Sequence, residues 1–452
     1  MSYSIPSELS FEELSRMYPS QKMEYRKQCF NGSSFSSGNP LQLMINKQDR
    51  TFLNPATLSL RFRLNVSCTS TVATTTANSK VALLGNAWSL FSRYTSKQSG
   101  GSDIDQIEFP GRLLNCITNV TLNSEEKRAM VSMGYNETTG YTNFGYDIGV
   151  GNANAGGGNT TVSASFNIPI IGALNAMKLI PLFVSDIELN FVVAQINNCM
   201  RSISSVASFA ITGFTIDNVE IVGDVLTLEE SSFAQFLQMY PQGVINLKST
   251  SYSYASGQSL QNEFQGTADV IVPYSLNSMK QFIWWASPTD CPCGNYDGVN
   301  PNLQNYQLFI GAQAYPVTPV RCDSVSEIYY QNSKSFGAFY SASHSGSALR
   351  SGMAKSSTAD GEYSQYTNAV TVANYTDGTL ANKFYNVLDL EIINQLKLNM
   401  YSGISTRGNT NSLRLNVSRK LLAGSVMNIH MYAVYDVVLN FDFVNGKITY
   451  SN

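Results

Sequence analysis

Side chains suited to acid–base or metal chemistry are scarce in this chain. Histidine occurs twice in 452 residues, as His344 and His430. His344 lies between Ser343 and Ser345 in a polar stretch, and His430 lies in an apolar run. A Ser-His-Asp hydrolase would have to recruit one of these imidazoles to take the proton of its serine. No Gly-x-Ser-x-Gly elbow is present to present such a serine. A serine in a loop of this kind is far more often solvated, and a histidine in an apolar strand is far more often packed. A metal centre on a β-barrel needs clustered histidines, and no His-x-His occurs.

The seven cysteines are Cys29, Cys68, Cys116, Cys199, Cys291, Cys293 and Cys322. An odd, scattered set is a poor disulfide framework. Cys291-Pro-Cys293 is the one close pair, and residues 294–300 add only Asp297 as a further ligand. Reduced thiols in a product made inside a cell fit this usage better. Among the carboxylates, Glu12/Glu13 and Glu229/Glu230 stand where helices should start, and the helix dipole favours negative charge there. Asp436 and Asp442 flank apolar strand residues and read as strand-edge or turn-facing. No carboxylate pair demands a glycosidase. Phe282 with Trp284-Trp285 is an aromatic cluster of the kind a carbohydrate-binding face displays. Successive strand residues point to opposite faces, so at least one Trp is expected inside. The sequence therefore predicts no enzyme, with no catalytic, cofactor-binding or metal-binding residue.

Composition narrows the classes further. Net charge is −3, and the one basic run, Lys22–Lys27, is broken by Glu24. A nucleic-acid binder advertises a basic stripe, so direct sequence-specific binding is not expected. Charged residues make up 13%, against ~25% in ordinary soluble domains, while 43% are hydrophobic. Polarity comes instead from Ser, Thr, Asn, Gln and Tyr. The start of the chain lacks the basic and apolar segments of a signal peptide. No apolar run reaches the ~18 residues of a membrane-spanning helix. The Asn-x-Ser/Thr sequons, among them Asn31, Asn65 and Asn416, are then expected to stay unused.

The elements that must carry these residues are mostly strands. Leu58, Leu60, Phe62, Leu64 and Val66 alternate with polar residues, as do Ile187, Leu189, Phe191 and Val193. Phe214 and Ile216, then Val219 and Ile221, alternate with a break in phase that marks a bulge. Ser89–Ser96, Gly100-Gly101 and Asp103–Phe109 read as strand, turn, strand. Further strands are expected at 162–168, 268–272, 280–286, 306–312, 413–417, 426–435 and 437–443.

Helices are expected at Pro110–Leu122 and Glu125–Met133, and after three capping boxes. Ser10–Glu13 opens a short apolar stripe of Phe11, Leu14, Met17 and Tyr18. Thr227–Glu230 opens a helix with Phe233, Phe236, Leu237 and Tyr240 on one face. Ser324–Glu327 opens a third helix. Long polar loops fill Tyr135–Thr161, with its Gly-rich tract at 151–158, and Phe339–Ala381. Length alone suggests two or three domains. The pattern divides as an arm at 1–40, a β-rich half at 41–226, a helix at 227–243 and a second β-rich half at 244–452. Arg63-Leu-Asn-Val-Ser67 recurs as Arg414–Ser418, but at different places in the two halves, so it sets no register for a repeat.

Four segments together resemble the double jelly-roll major capsid proteins of virophages and Polinton-like viruses, with adenovirus hexon as a more distant relative. They are Phe52-Leu53-Asn54-Pro55; Ile168–Leu174 with Lys178–Leu182; Tyr306–Gly311 with Tyr315-Pro316, Pro319 and a helix from Ser324; and Leu388–Glu391 with Ser402-Gly403 and Tyr435-Asp436. They span most of residues 50–445, in order, on either side of Thr227. The resemblance implies an all-β chain of two tandem jelly-roll β-barrels with a few short helices. It also implies a homotrimer that forms a pseudo-hexagonal capsomer and tiles an icosahedral virion shell. Partners would be neighbouring capsomers, penton and minor capsid proteins. In that setting the arm, Ser10–Tyr18, is expected to contact a neighbour or an inner component, and the two long loops to top the outer face. The alternative from the residues alone is a carbohydrate-binding or adhesive β-sandwich, such as a viral spike, using Trp284 and Trp285.

Overall fold

The computed structural model of the chain describes residues 19–71, 79–101, 103–122, 126, 129–134, 147–149, 158–176, 178–204, 209–256, 266–288, 296, 298, 303–322, 325–336, 384–391, 402–408, 413–419 and 427–451. Eight strands build the first half: β1 (Pro19–Gln28), β2 (Pro40–Ile45), β3 (Thr51–Ser70), β4 (Phe91–Gln98), β5 (Asp103–Glu108), β6 (Gly158–Pro169), β7 (Ile187–Val193) and β8 (Ala210–Leu228). Eight more build the second: β9 (Val244–Ser256), β10 (Gly266–Ile271), β11 (Met279–Pro288), β12 (Leu303–Ile310), β13 (Gln313–Arg321), β14 (Asn386–Asp389), β15 (Arg414–Arg419) and β16 (Met427–Asp442). The helices are α1 (Pro110–Thr121), α2 (Glu230–Gln238) and α3 (Val325–Ser335).

Strand order shows the duplication that residue identity does not. The first half pairs β1-β8-β3-β6 in one sheet and β2-β7-β4-β5 in the other. The second pairs β9-β16-β11-β14 and β10-β15-β12-β13. Adding eight to each label of the first half gives the second. Each half is a jelly roll: two antiparallel sheets of four principal strands, with the eighth strand inserted between the first and third; Ser34–Ser36 and Ile180–Pro181 extend the first half's larger sheet, and Lys447–Ser451 extends the second half's. A helix follows the fifth strand, an edge strand, in both: α1 after β5 and α3 after β13. Arg63–Ser67 sits on β3 and Arg414–Ser418 on β15, which occupy unlike positions.

Alternation puts the apolar residues inside. In β3, Leu58, Leu60, Phe62, Leu64 and Val66 are buried, and Arg61 and Arg63 face outward. In β8 the register slips between Asp217 and Glu220, and Asn218 takes φ +52°, which is the bulge expected from the phase break.

Several expectations need correction. Residues 19–36 are not arm: β1 pairs with β8 from Pro19↔Leu228 to Gln28↔Glu220, and Ser34–Ser36 pairs with β8 beyond it. Over residues 21–28 of β1 only Tyr25 is buried, so this edge strand lacks the alternation that marks a core strand. The stripe Phe11–Tyr18 lies outside the described residues. Thr227 opens no helix. It continues β8 opposite Thr51, and α2 begins at Glu230 with Glu229 as N-cap. Its carboxylates still stand at the helix N-terminus. The strands expected at 426–435 and 437–443 are one strand, β16. Of the helix expected over Glu125–Met133 the structure describes Glu126 and Ala129, both helical as expected, and a 3-10 turn at Val131–Met133 that ends it. The Tyr135–Thr161 loop contains a strand, Asp147–Gly149, paired with Ser79–Leu83, and β6 already begins at Gly158. Ser324, Cys291, Cys293, Asp297, His344 and the loop 339–381 lie outside the described residues. β9, β13 and β14 were not legible as strands.

The left-handed residue in the bulge gives a direct check. Asn tolerates that region, and a β-branched residue does not. Asn218→Val is expected to destabilise the chain by about 1–2 kcal/mol, and Asn218→Gly to be near neutral, read from the urea midpoint at unchanged slope.

Candidate functional site

His430, on β16, is 4% exposed. Its Nδ1 lies 2.8 Å from the Tyr254 hydroxyl and its Nε2 2.8 Å from Ser287 Oγ. Burial lowers its pKa to about 3, and the charge of Arg112 adds to the effect. Serine, imidazole and an orienting group are thus aligned, but the third member is a phenol and Ser287 is fully buried. The set packs the chain and offers no face to a substrate. Trp284 and Trp285 are both fully buried, on opposite faces of β11. Trp284 meets Tyr306 inside the barrel, and Trp285 stacks on Tyr432 outside it.

Asp436 is neither edge nor turn, because it is fully buried. It accepts hydrogen bonds from Ser278 Oγ (2.7 Å) and the Ser402 backbone N–H (2.8 Å). Lys280 Nζ stands 3.0 Å from Glu391 and 3.9 Å from Asp436, and Lys248 lies 3.5 Å from Asp436. Ser402 Oγ donates to Glu391. This cluster joins all parts of the fourth resemblance segment. Its two carboxylates are close, yet an ammonium lies between them where a glycosidase needs sugar and water. Asp442 does cap a turn, accepting from the Asn445 side-chain amide and from the N–H groups of Asn445 and Val444, and these bonds hold its pKa down. Among the described residues no group of three or more His, Cys, Asp or Glu is placed to hold a metal, and no helix is long and apolar enough to cross a membrane.

The most elaborate side-chain arrangement is the joint between the halves. The outward face of β9-β16-β11-β14 carries Ile283, Trp285, Val387, Tyr432 and Val434. Helix α1 of the first half covers it, inserting Leu113, Cys116 and Val120. Both faces of this sheet are therefore buried, which explains the unbroken apolar run around β16. Burying each α1 side chain is worth about 1.5–3 kcal/mol, against about 0.5–1.5 kcal/mol for one net hydrogen bond. Apolar contact holds the joint and polar contact orients it. Tyr432 donates to the Phe109 carbonyl (2.9 Å), Asn115 and Tyr385 to the Tyr296 carbonyl (2.8 and 2.7 Å), and Gln98 to the Gly446 carbonyl (2.7 Å). Arg112 lies 4.0 Å over the Phe109 ring.

Asp105, on β5, is the ionisable residue at the centre. It accepts from Ser251 Oγ on β9 and from the Ala173 N–H. The Ala173 N–H is within reach because Gly172, at φ +85°, has no Cβ to fall on the carboxylate. Burial pushes the Asp105 pKa up to about 6. At the far end, Phe233 and Phe236 of α2 pack on Phe52 and Phe183, and Phe183 meets Phe443 of the second half. Pro110–Leu122 is legible as a helix but not by what it covers, and Asp105 carried no signal at all.

No protein-family model and no curated protein matches the sequence. Solved structures match its fold end to end. The cryo-EM structure of the Sputnik virophage is similar at 12% identity and TM-score 0.58, over 100% of this chain and 93% of that one. The mavirus major capsid protein is similar at 9% identity and TM-score 0.58, over 100% and 95%. The Faustovirus major capsid protein is similar at 9% identity and TM-score 0.55, over 97% and 92%. At these identities the likeness is one of fold, and it agrees with the two jelly rolls read from strand order.

The joint carries two opposed proton linkages. Folded Asp105 keeps a proton that the unfolded chain releases, so its contribution to stability falls as pH rises towards about 6. Folded His430 lacks a proton that the unfolded chain binds, so its contribution falls as pH drops from about 6.5 towards 3. Asp105→Asn removes the first and leaves the second. Its urea midpoint is expected to drop more steeply than that of the wild type between pH 7 and pH 4.5; parallel profiles would overturn this assignment.

Proposed function

We propose that this chain is a major capsid protein, a structural and non-enzymatic component of a virion shell. Its two folding units are residues 19–228 and 244–451. The carrying observation is the same eight-strand order twice in one chain, matched over its whole length by capsid proteins of mavirus and Faustovirus. Three copies of a two-barrel chain supply six similar barrels, and a head-to-tail interface closes such units into a ring. The homotrimer is then a pseudo-hexagonal capsomer that tiles an icosahedral shell beside other capsomers, penton and minor capsid proteins. Low charge and abundant Tyr suit wide polar contacts between such units.

The adhesive reading loses its best residues, because Trp284 and Trp285 are buried and present no ring to a sugar. Light scattering of the purified chain is expected to give three chain masses, unchanged on dilution, and electron microscopy of the same sample a hexagonal outline. A strict monomer would sink the proposal.

A further inference from the structure

Among the described residues, the joint holds one buried charge that no opposite charge answers. Arg112, in the first turn of α1, is 5% exposed, and its Nε has no hydrogen-bond partner. Its guanidinium lies over the Phe109 ring at 4.0 Å and the Tyr296 ring at 5.7 Å. Rings take the flat face of a guanidinium, while its N–H donors point out along the edge. The Tyr254 hydroxyl stands beside it, but it is neutral and already engaged with His430 Nδ1 at 2.8 Å. The acids of β5 are taken elsewhere. Glu108 pairs with Arg93 at 3.2 Å, and Asp105 is answered by Ser251 and the Ala173 N–H. A buried cation without a counter-charge is costly, and ring contact recovers only part of that cost. The helix end adds to the imbalance. The N-cap, Phe109, offers no side-chain bond, and the first turn holds no acid. A cation there opposes the helix dipole, whereas an anion would suit both the dipole and the guanidinium.

We propose that the joint binds a small inorganic anion of the halide class between the Arg112 guanidinium and the N-terminus of α1. A halide only accepts hydrogen bonds, and the positive edges of aromatic rings tolerate it. A phosphate would bring further oxygens that need donors of their own. Arg112 and Phe109 belong to the first half, and Tyr254 and Tyr296 to the second, so the anion completes the electrostatics of the contact between them. The inference goes beyond the capsid reading and does not depend on it.

The test melts the full chain in sodium chloride, sodium bromide and sodium gluconate at equal ionic strength, gluconate being too large for the site. The melting temperature is expected to be higher in both halides. It should climb by an equal step for each tenfold rise in halide above the dissociation constant. Arg112→Met keeps an apolar stem under the rings and removes the charge, and it is expected to lose the halide step. Lys22→Met, which removes an exposed charge, is expected to keep it. Wild-type crystals grown in sodium bromide give a reading that does not depend on a variant folding: an anomalous peak is expected within hydrogen-bond distance of Arg112 Nε. Equal melting temperatures in halide and gluconate, or bromide peaks on the surface alone, would overturn the proposal. A halide step that appears only in Asp297→Asn would overturn it too, by giving the guanidinium a partner within the chain.

Discussion

A sheet that is apolar on both faces cannot stand alone in water, and the rest of the structure follows from that constraint. The outward face of β9-β16-β11-β14 presents Trp285, Tyr432 and Val434. Left open, it would be a patch of the kind that drives association. The first jelly roll closes it with α1, and the joint brings the Phe109 carbonyl to the buried hydroxyl of Tyr432 and the Asn115 amide to that of Tyr385. The halves are thus parts of one core as well as separate barrels. This also explains why Asp105 is tolerated: Ser251 and the Ala173 N–H answer its carboxylate, and below about pH 6 a bound proton removes the buried charge.

The same logic explains the chain's low charge and where its charge resides. Residues at the internal joint never meet water, so they are aromatic and aliphatic. The matching face of the first jelly roll stays soluble by pairing Lys22 with Asp224 and setting Arg61 among acids. One architecture therefore carries two surfaces with opposite chemistry at equivalent positions. The buried cluster of Asp436, Lys280, Glu391 and Lys248 stands at the end of the apolar face, where it ties β16 to the segment around Ser402.

What was legible in the sequence was local. The alternation of β3, the β4–β5 hairpin, the phase break of β8, the helix α1 and the stripe of α2 all follow from neighbours within a few residues. β1 and β9 escaped because their partners, β8 and β16, lie about two hundred residues away, and little in Lys22–Lys27 or Ser249–Ser253 announces them. Asp436 was misplaced for a related reason. A carboxylate reads as surface unless its donors are visible, and Ser278, Ser402 and the two lysines converge only in three dimensions. The Thr227 box was a true pattern in the wrong context, because pairing with Thr51 claimed that backbone first.

The position of β8 and β16 also sets an order of events during synthesis. Each is the eighth strand in its jelly roll's order, yet each lies between two strands made long before it: β8 between β1 and β3, and β16 between β9 and β11. A nascent chain cannot add strands one after another from its first residue. It must hold a vacant slot in each principal sheet until the inserted strand leaves the ribosome, with unpaired N–H and C=O groups on both sides. Such long-range closure is slow. The second slot fills only when residues 427–442 emerge, so the joint with α1 is completed about three hundred residues after α1 itself is made.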